Sequence, residues 1–93
     1  MSEKTEKQIE KVCQGMADFL KEKNRKYGDS ALSPAKIFSK LSPGEGLLIR
    51  ADDKINRIIN SDELRKNDCI DLCGYLVLIM IANEWYDMED IIE

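Results

Sequence analysis

The sequence predicts an all-α protein, a small bundle of about four helices with a buried central helix. Apolar residues recur at steps of three and four through most of the 93 residues, which is the spacing of one face of an α-helix. The segment 68–85 is apolar on nearly every side as a helix, so neighbouring helices must cover it. A chain of this length forms one domain, spanning 1–93.

The first predicted helix runs from about Glu3 to Lys26, because its apolar residues keep helical spacing and lysine and glutamate fill the other positions. Gly28 is placed to end this helix in a left-handed conformation. A short helix is predicted next, opening at Ser33 and Pro34. Serine as the N-cap, followed by proline at the first helical position, favours a helix start.

The third predicted helix begins near Pro43, where Ser42 and Glu45 have the Ser-x-x-Glu spacing of a capping box. It continues to about residue 60, with apolar residues along one stripe and charged residues along the next. The central helix follows over 68–85. The last residues, about 86–93, form an acidic tail.

The charge and the apolar pattern argue against two classes of partner. The net charge is −4 and the acidic tail has no basic neighbour, which argues against duplex nucleic acid. The uninterrupted apolar run at 75–82 is much shorter than the roughly 18 to 20 residues that span a bilayer. The first residues contain no hydrophobic run, and the three cysteines occur without histidine. We therefore expect a cytoplasmic protein with free thiols and no membrane partner.

The size of the domain also predicts self-association. A domain this small buries only roughly 60 to 65% of the surface of its unfolded chain. A helix that is apolar on all sides needs more cover than one such chain supplies. We therefore expect the back half of the central helix to pack against a second copy in a homo-oligomer.

Three polar stretches exceed what a plain helical bundle needs: the loop 23–30, the charged stripe over 50–57, and the start of the central helix at 68–75. Adjacent helices with short connections usually pack antiparallel, which brings the second and third stretches to a common pocket. Arginine and lysine suit phosphate oxygens, and tyrosine can stack on a base. The candidate ligand-binding residues are Lys23, Asn24, Tyr27, Asp29, Ser30, Arg50, Lys54, Arg57 and Tyr75.

The acidic residues of these stretches have two interpretations. Asp53, Asp68 and Asp71 offer hard oxygen donors that could hold Mg²⁺ together with substrate phosphates, and no other cofactor is predicted. In the structural alternative, Asp53 pairs with Arg57 four residues further on. Asp68 and Asp71 then complement the dipole at the start of their own helix.

The chain carries three motifs in order: Lys23-Asn24-x-x-Tyr27-Gly28-Asp29-Ser30, Arg50-x-x-Asp53-Lys54-x-x-Arg57-Ile58 and Asp68-x-x-Asp71-Leu72-x-Gly74-Tyr75. Together they resemble the signature of a small α-helical phage and prophage family called nucleotide modification associated domain, type one. The resemblance spans roughly residues 19–80. It implies a phage protein that acts in the cytoplasm of a bacterial host and is connected with nucleotides.

A looser similarity is to the all-α nucleoside triphosphate pyrophosphatases, whose Mg²⁺ site uses Glu-x-x-Glu on one helix and Glu-x-x-Asp on the next. Asp68 and Asp71 match the second half of that pattern. The first half is missing, because Asp53 stands between Arg50 and Arg57.

The first hypothesis is therefore a phage-type protein that binds or sequesters a small phosphorylated ligand without turnover. The ligand would be a nucleotide or a nucleotide-derived signal, cyclic ones included, and the protein would act as an anti-defence sponge or serve nucleotide metabolism. The second hypothesis is an enzyme, a Mg²⁺-dependent nucleoside triphosphate pyrophosphohydrolase. The third is a protein-interaction module that uses the back of the central helix and the acidic tail against a host protein.

Overall fold

The structure is a computed structural model that describes residues 2–91, and these residues form helices and no strand. The helices are α1 (Glu3–Lys26), α2 (Pro43–Ile59), α3 (Lys66–Ala82) and a short 3-10 helix (Glu89–Ile91). The all-α prediction is thus confirmed for this part of the chain. The acidic tail was expected to reach residue 93, but residues 92 and 93 lie outside the described residues.

The start of α1 and the start of α2 follow from local capping. The Ser2 hydroxyl accepts a hydrogen bond from the Thr5 backbone N–H at 3.2 Å, and the Ser42 hydroxyl accepts one from the Glu45 N–H at 3.2 Å. Each bond satisfies a backbone donor that the first helical turn leaves without a partner. Gly28 follows α1 with φ +60°, so the predicted left-handed residue after this helix is confirmed.

The predicted short helix after Pro34 is wrong. Residues 34–41 are irregular, and Lys36 has φ +57°, a left-handed conformation that an α-helix cannot contain. The Ser33 hydroxyl lies 3.5 Å from Asp29 Oδ2, so it contacts the preceding loop. Phe38 is 99% exposed, so its ring has no apolar cover within the described chain. The described residues therefore supply three α-helices, where four were expected.

α3 begins two residues earlier and ends three residues earlier than the predicted segment 68–85. The Asn83 side-chain amide donates to the Ile79 carbonyl at 2.8 Å, satisfying a carbonyl that the last turn would leave free. Glu84 then has φ +59°, and the chain leaves the helical path. This hydrogen bond and the left-handed conformation of Glu84 end the helix before Trp85.

α3 is the central helix in the packing of the chain. It packs against both α1 and α2, whereas α1 and α2 make no close backbone contact with each other within residues 2–91. α2 contributes the buried apolar side chains Leu47 and Ala51. α1 crosses α3 at Gly74, where an added Cβ would lie 2.8 Å from Leu20 Cδ2. The glycine inside α3 is thus explained by close helix packing.

The single chain leaves much apolar surface uncovered. Its accessible surface is 7856 Å², whereas a folded monomer of 10.7 kDa should expose about 5,500 Å². Its radius of gyration is 15.1 Å, against about 12 Å for a compact domain of this length. Leu76 in the middle of α3 is 49% exposed. One copy of the chain therefore buries the central helix only in part.

Among the described residues, no helix combines the length and the apolar character needed to cross a membrane.

Candidate ligand-binding site

A pocket of about 370 Å³ lies where α1 crosses α3, with the loop after α1 and one residue of α2 completing its wall. The pocket is open to solvent on one side and mixes aromatic, cationic and polar side chains. We call it the motif pocket, because all three sequence motifs contribute to it. Its lining residues are Phe19, Leu20, Lys23, Asn24, Tyr27, Ser30, Ala31, Arg50, Ile70, Asp71, Gly74, Tyr75 and Leu78.

Six of the nine predicted ligand-binding residues line this pocket. α1 supplies two of them, the following loop two, and α2 and α3 one each. A prediction made from three separate stretches of sequence thus describes one connected surface. The six residues are Lys23, Asn24, Tyr27, Ser30, Arg50 and Tyr75.

The other three predicted residues lie outside the pocket wall. Asp29 has φ +61°, and its carbonyl accepts hydrogen bonds from the backbone N–H groups of Leu32 and Ser33, so it shapes the loop. Lys54 is 7% exposed and lies beneath the pocket. Arg57 is exposed on α2 and makes no ion pair within residues 2–91.

A charge network beneath the pocket joins all three helices. The Lys54 ammonium donates to Asp68 Oδ1 at 3.3 Å and to Asp71 Oδ2 at 3.1 Å, which ties α2 to α3. The Lys23 ammonium donates to Asp71 Oδ1 at 3.3 Å and ties α1 to α3. No buried polar side-chain atom in the described part of the chain lacks a hydrogen-bond partner. The network is therefore complete without a ligand.

The network keeps its central pair ionised. The hydrogen bond to Asp71 raises the pKa of Lys54 above its ordinary value, although burial acts in the opposite direction. Burial raises the pKa of Asp71, but the hydrogen bonds from Lys54 and Lys23 outweigh it, so that pKa is lowered overall. Asp71 is consequently a fixed anion and a weak base, and Lys54 is a fixed cation.

The lining of the pocket places cations beside aromatic rings. The Lys23 ammonium lies 5.5 Å from the centroid of the Phe19 ring, within cation–π distance. Arg50 is exposed and forms no ion pair with any described residue. Its guanidinium group can therefore bind an incoming anion without first breaking an ion pair.

The three carboxylates predicted for Mg²⁺ do not form a joint site. Asp53 is exposed on α2, and no ion pair of the described residues joins it to Arg57. Asp68 and Asp71 are held by the Lys54 ammonium, which stands where a cation between them would lie. Within residues 2–91 no three acidic or cysteine side chains are grouped to hold a metal ion. The residues present thus do not fit the predicted metal.

Sequence reasoning missed the apolar part of the pocket wall. Phe19 and Leu20 lie one turn before Lys23 and Asn24 on the same face of α1, and Leu78 lies one turn after Gly74 on α3. Residues three or four apart on a helix are neighbours on its surface. A helical projection around the motif residues would have identified these apolar neighbours.

The fold and the site define a small three-helix protein with an aromatic and cationic pocket above a buried charge network. Comparisons with models of known protein families, with curated proteins and with solved structures found no match. The resemblance of the three motifs to the phage family therefore stays a prediction.

Proposed function

We propose that the protein binds a small phosphorylated ligand, a nucleotide or a nucleotide-derived signal, in the motif pocket and does not turn it over. One observation carries this proposal. Three motifs that are far apart in the sequence line one pocket, and they bring two cations and two tyrosine rings to it. Cationic groups bind phosphate, and aromatic rings bind bases.

Arg50 is the main hydrogen-bond donor to phosphate in this proposal. Its planar guanidinium group can hold two phosphate oxygens at once, and it has no competing carboxylate partner among the described residues. Lys23 is the second cation, and its side chain is 41% exposed although it pairs with Asp71. Lys54 and Arg57, which the sequence placed with Arg50, take no direct part.

The aromatic side chains provide the surface for the base. Tyr27 is 63% exposed and Phe19 is 44% exposed, so both have apolar surface to bury against a ring. Tyr75 lines the same wall from α3, and Asn24 and Ser30 offer hydrogen bonds to base edges or sugar hydroxyls. The pocket volume of about 370 Å³ is at the low end of small-molecule sites. It suits one nucleotide unit.

Binding without turnover agrees with the groups that line the pocket. Asp71 is the only carboxylate in the pocket wall, and it is held by two ammonium groups that lower its pKa. General-base catalysis of hydrolysis is most efficient when the pKa of the base lies near the working pH. The pyrophosphohydrolase alternative also lacks the grouped carboxylates that its Mg²⁺ ions require. In the phage setting that the motifs suggest, the protein would sequester a host nucleotide signal or serve nucleotide metabolism.

We also propose that the protein works as a homo-oligomer. The single chain exposes about 2,300 Å² more surface than a folded monomer of its mass. Association of copies would remove this excess.

The test is a thermal-unfolding screen of the purified protein against nucleoside mono-, di- and triphosphates and cyclic nucleotides, with and without Mg²⁺. A ligand at about 100 times its Kd adds about 2.7 kcal/mol to the unfolding free energy, which raises Tm by roughly 10 °C or more in a domain of this size. The bound nucleotide should be recovered intact. Absence of a shift with every nucleotide would refute the proposal, and release of pyrophosphate would favour the enzyme.

A further inference from the structure

α3 has three sides, and one of them is uncovered. Successive residues of a helix are about 100° apart around its axis. Asp68 and Asp71 face α2, and Gly74 faces α1. The third side, which we call the open face, has residues at steps of four, three and four. It consists of Cys69, Cys73, Leu76 and Met80.

The open face has the composition of a buried helix surface. Cys69 and Cys73 are free and exposed, Leu76 is 49% exposed, and Met80 is partly exposed. None of the four carries a charge. The steps of four and three are those of the contact positions between paired helices, where one apolar seam packs into another. A helix seam of this kind requires another helix.

The whole chain exposes enough surface for an interface between copies. A standard interface buries about 800 Å² of each partner, and obligate homodimers bury more. The surface excess of about 2,300 Å² belongs to the whole chain, and the open face contributes one part of it.

The charges at the two ends of the open face match a second copy placed antiparallel to the first. Arg65 and Lys66 lie at the start of the face, after the acidic Asp62 and Glu63, whereas Glu84 and Asp87 follow its end. No lysine or arginine occurs after Lys66. Two antiparallel copies of α3 therefore place Arg65 and Lys66 near the acidic end of the partner twice, whereas parallel copies place the two acidic ends together.

We propose that the open face of α3 is the self-association surface of this protein and that it pairs antiparallel with the α3 helix of a second copy about a twofold axis. In this register Cys69 lies against Met80 of the partner subunit, and Cys73 lies against Leu76 of the partner subunit. The twofold axis repeats both contacts. The inference rests on the proposed homo-oligomer and names its surface, and it does not depend on the ligand proposal.

This arrangement leaves the motif pocket open in each copy. The α3 residues of the pocket wall include Asp71, Gly74 and Leu78, which lie on the sides of the helix away from Leu76. Each subunit would thus bind its own ligand.

Size-exclusion chromatography with light scattering tests the face. The wild-type chain should have an even multiple of 10.7 kDa, and Leu76→Asp should reduce it to the monomer mass or unfold it. The matched control is Ile59→Asp at the end of α2, where the side chain is 71% exposed, and this variant should keep the wild-type mass. A monomeric wild type, an unchanged mass for Leu76→Asp, or an equal fall in oligomer mass in both variants would overturn the proposal.

Cross-linking tests the orientation and does not depend on an unfolding variant. In a chain with Cys13→Ser and Cys73→Ser, the remaining Cys69 should form no disulfide-linked dimer under oxidation. Adding Met80→Cys should produce that dimer, because positions 69 and 80 meet across the antiparallel pair. Within one helix these positions are about 16 Å apart, too far for a disulfide. A dimer linked through Cys69 alone, or no dimer with both cysteines, would overturn the proposal.

Discussion

Replacement of Lys54 by methionine should strongly destabilise the protein. Lys54 is 7% exposed and Asp68 is 6% exposed, so the substitution leaves a buried carboxylate without its ammonium partner. Removing one partner of a buried ion pair costs about 3 to 5 kcal/mol. Asp71 keeps its hydrogen bond from Lys23, so only Asp68 is left without any ammonium partner. We therefore expect the lower end, about 3 kcal/mol, and a fall in Tm of roughly 12 to 24 °C.

Urea unfolding at one fixed protein concentration measures this loss. Lys26→Met on the exposed last turn of α1 is the matched control and should change the unfolding free energy by less than about 0.5 kcal/mol. The double variant Lys54→Met with Asp68→Asn should regain at least half of the loss, because the buried charge is gone. A Lys54→Met variant within about 0.5 kcal/mol of wild type would show that the network does not hold α2 to α3.

Two further predictions concern the contact of α1 with α3 and the charge network. Gly74→Leu should push α1 off α3, since even a Cβ at this position lies 2.8 Å from Leu20; circular dichroism and limited proteolysis should show a released α1, and an intact α1 would contradict this. Unfolding free energy should be flat from about pH 5 to 9 and fall below about pH 4. The lowered pKa of Asp71 stabilises the fold above the ordinary value of 3.8, and this contribution is lost as pH falls through the folded-state value. The raised pKa of Lys54 stabilises the fold below the ordinary value of 10.5. This contribution is lost only as pH rises through the higher folded-state value. A decline between pH 5 and 9 would contradict the network.

Local capping explains why the long helices were predicted well. The Ser42 capping box with Pro43 placed the start of α2 correctly, because its hydrogen bond joins residues three apart. The similar signal at Ser33 and Pro34 failed. Whether a short helix forms there depends on apolar cover for its inner face, and Phe38 has none. Tertiary cover of this kind is not visible in a local pattern.

The site was predicted only in part, because tertiary packing also decides which of its side chains are accessible. Arg50, Lys54 and Arg57 share one stripe of α2, so the sequence treated them as one phosphate-binding group. The structure separates them by depth. Arg50 lines the pocket, Lys54 is buried under α3 carboxylates, and Arg57 lies beyond the pocket wall. Only the position of α3 across the stripe decides which cation remains accessible.

Isothermal titration calorimetry with two arginine variants tests the central claim most directly, namely that the motif pocket binds a phosphorylated ligand through Arg50. Arg50 and Arg57 are both exposed on α2, but only Arg50 lines the pocket. The nucleotide that most raises Tm is titrated into wild type, Arg50→Ala and Arg57→Ala. Loss of a charged hydrogen bond should weaken binding about 10- to 100-fold in Arg50→Ala, whereas Arg57→Ala should stay within about twofold of wild type. Unchanged binding in Arg50→Ala, or an equal loss in Arg57→Ala, would contradict the account.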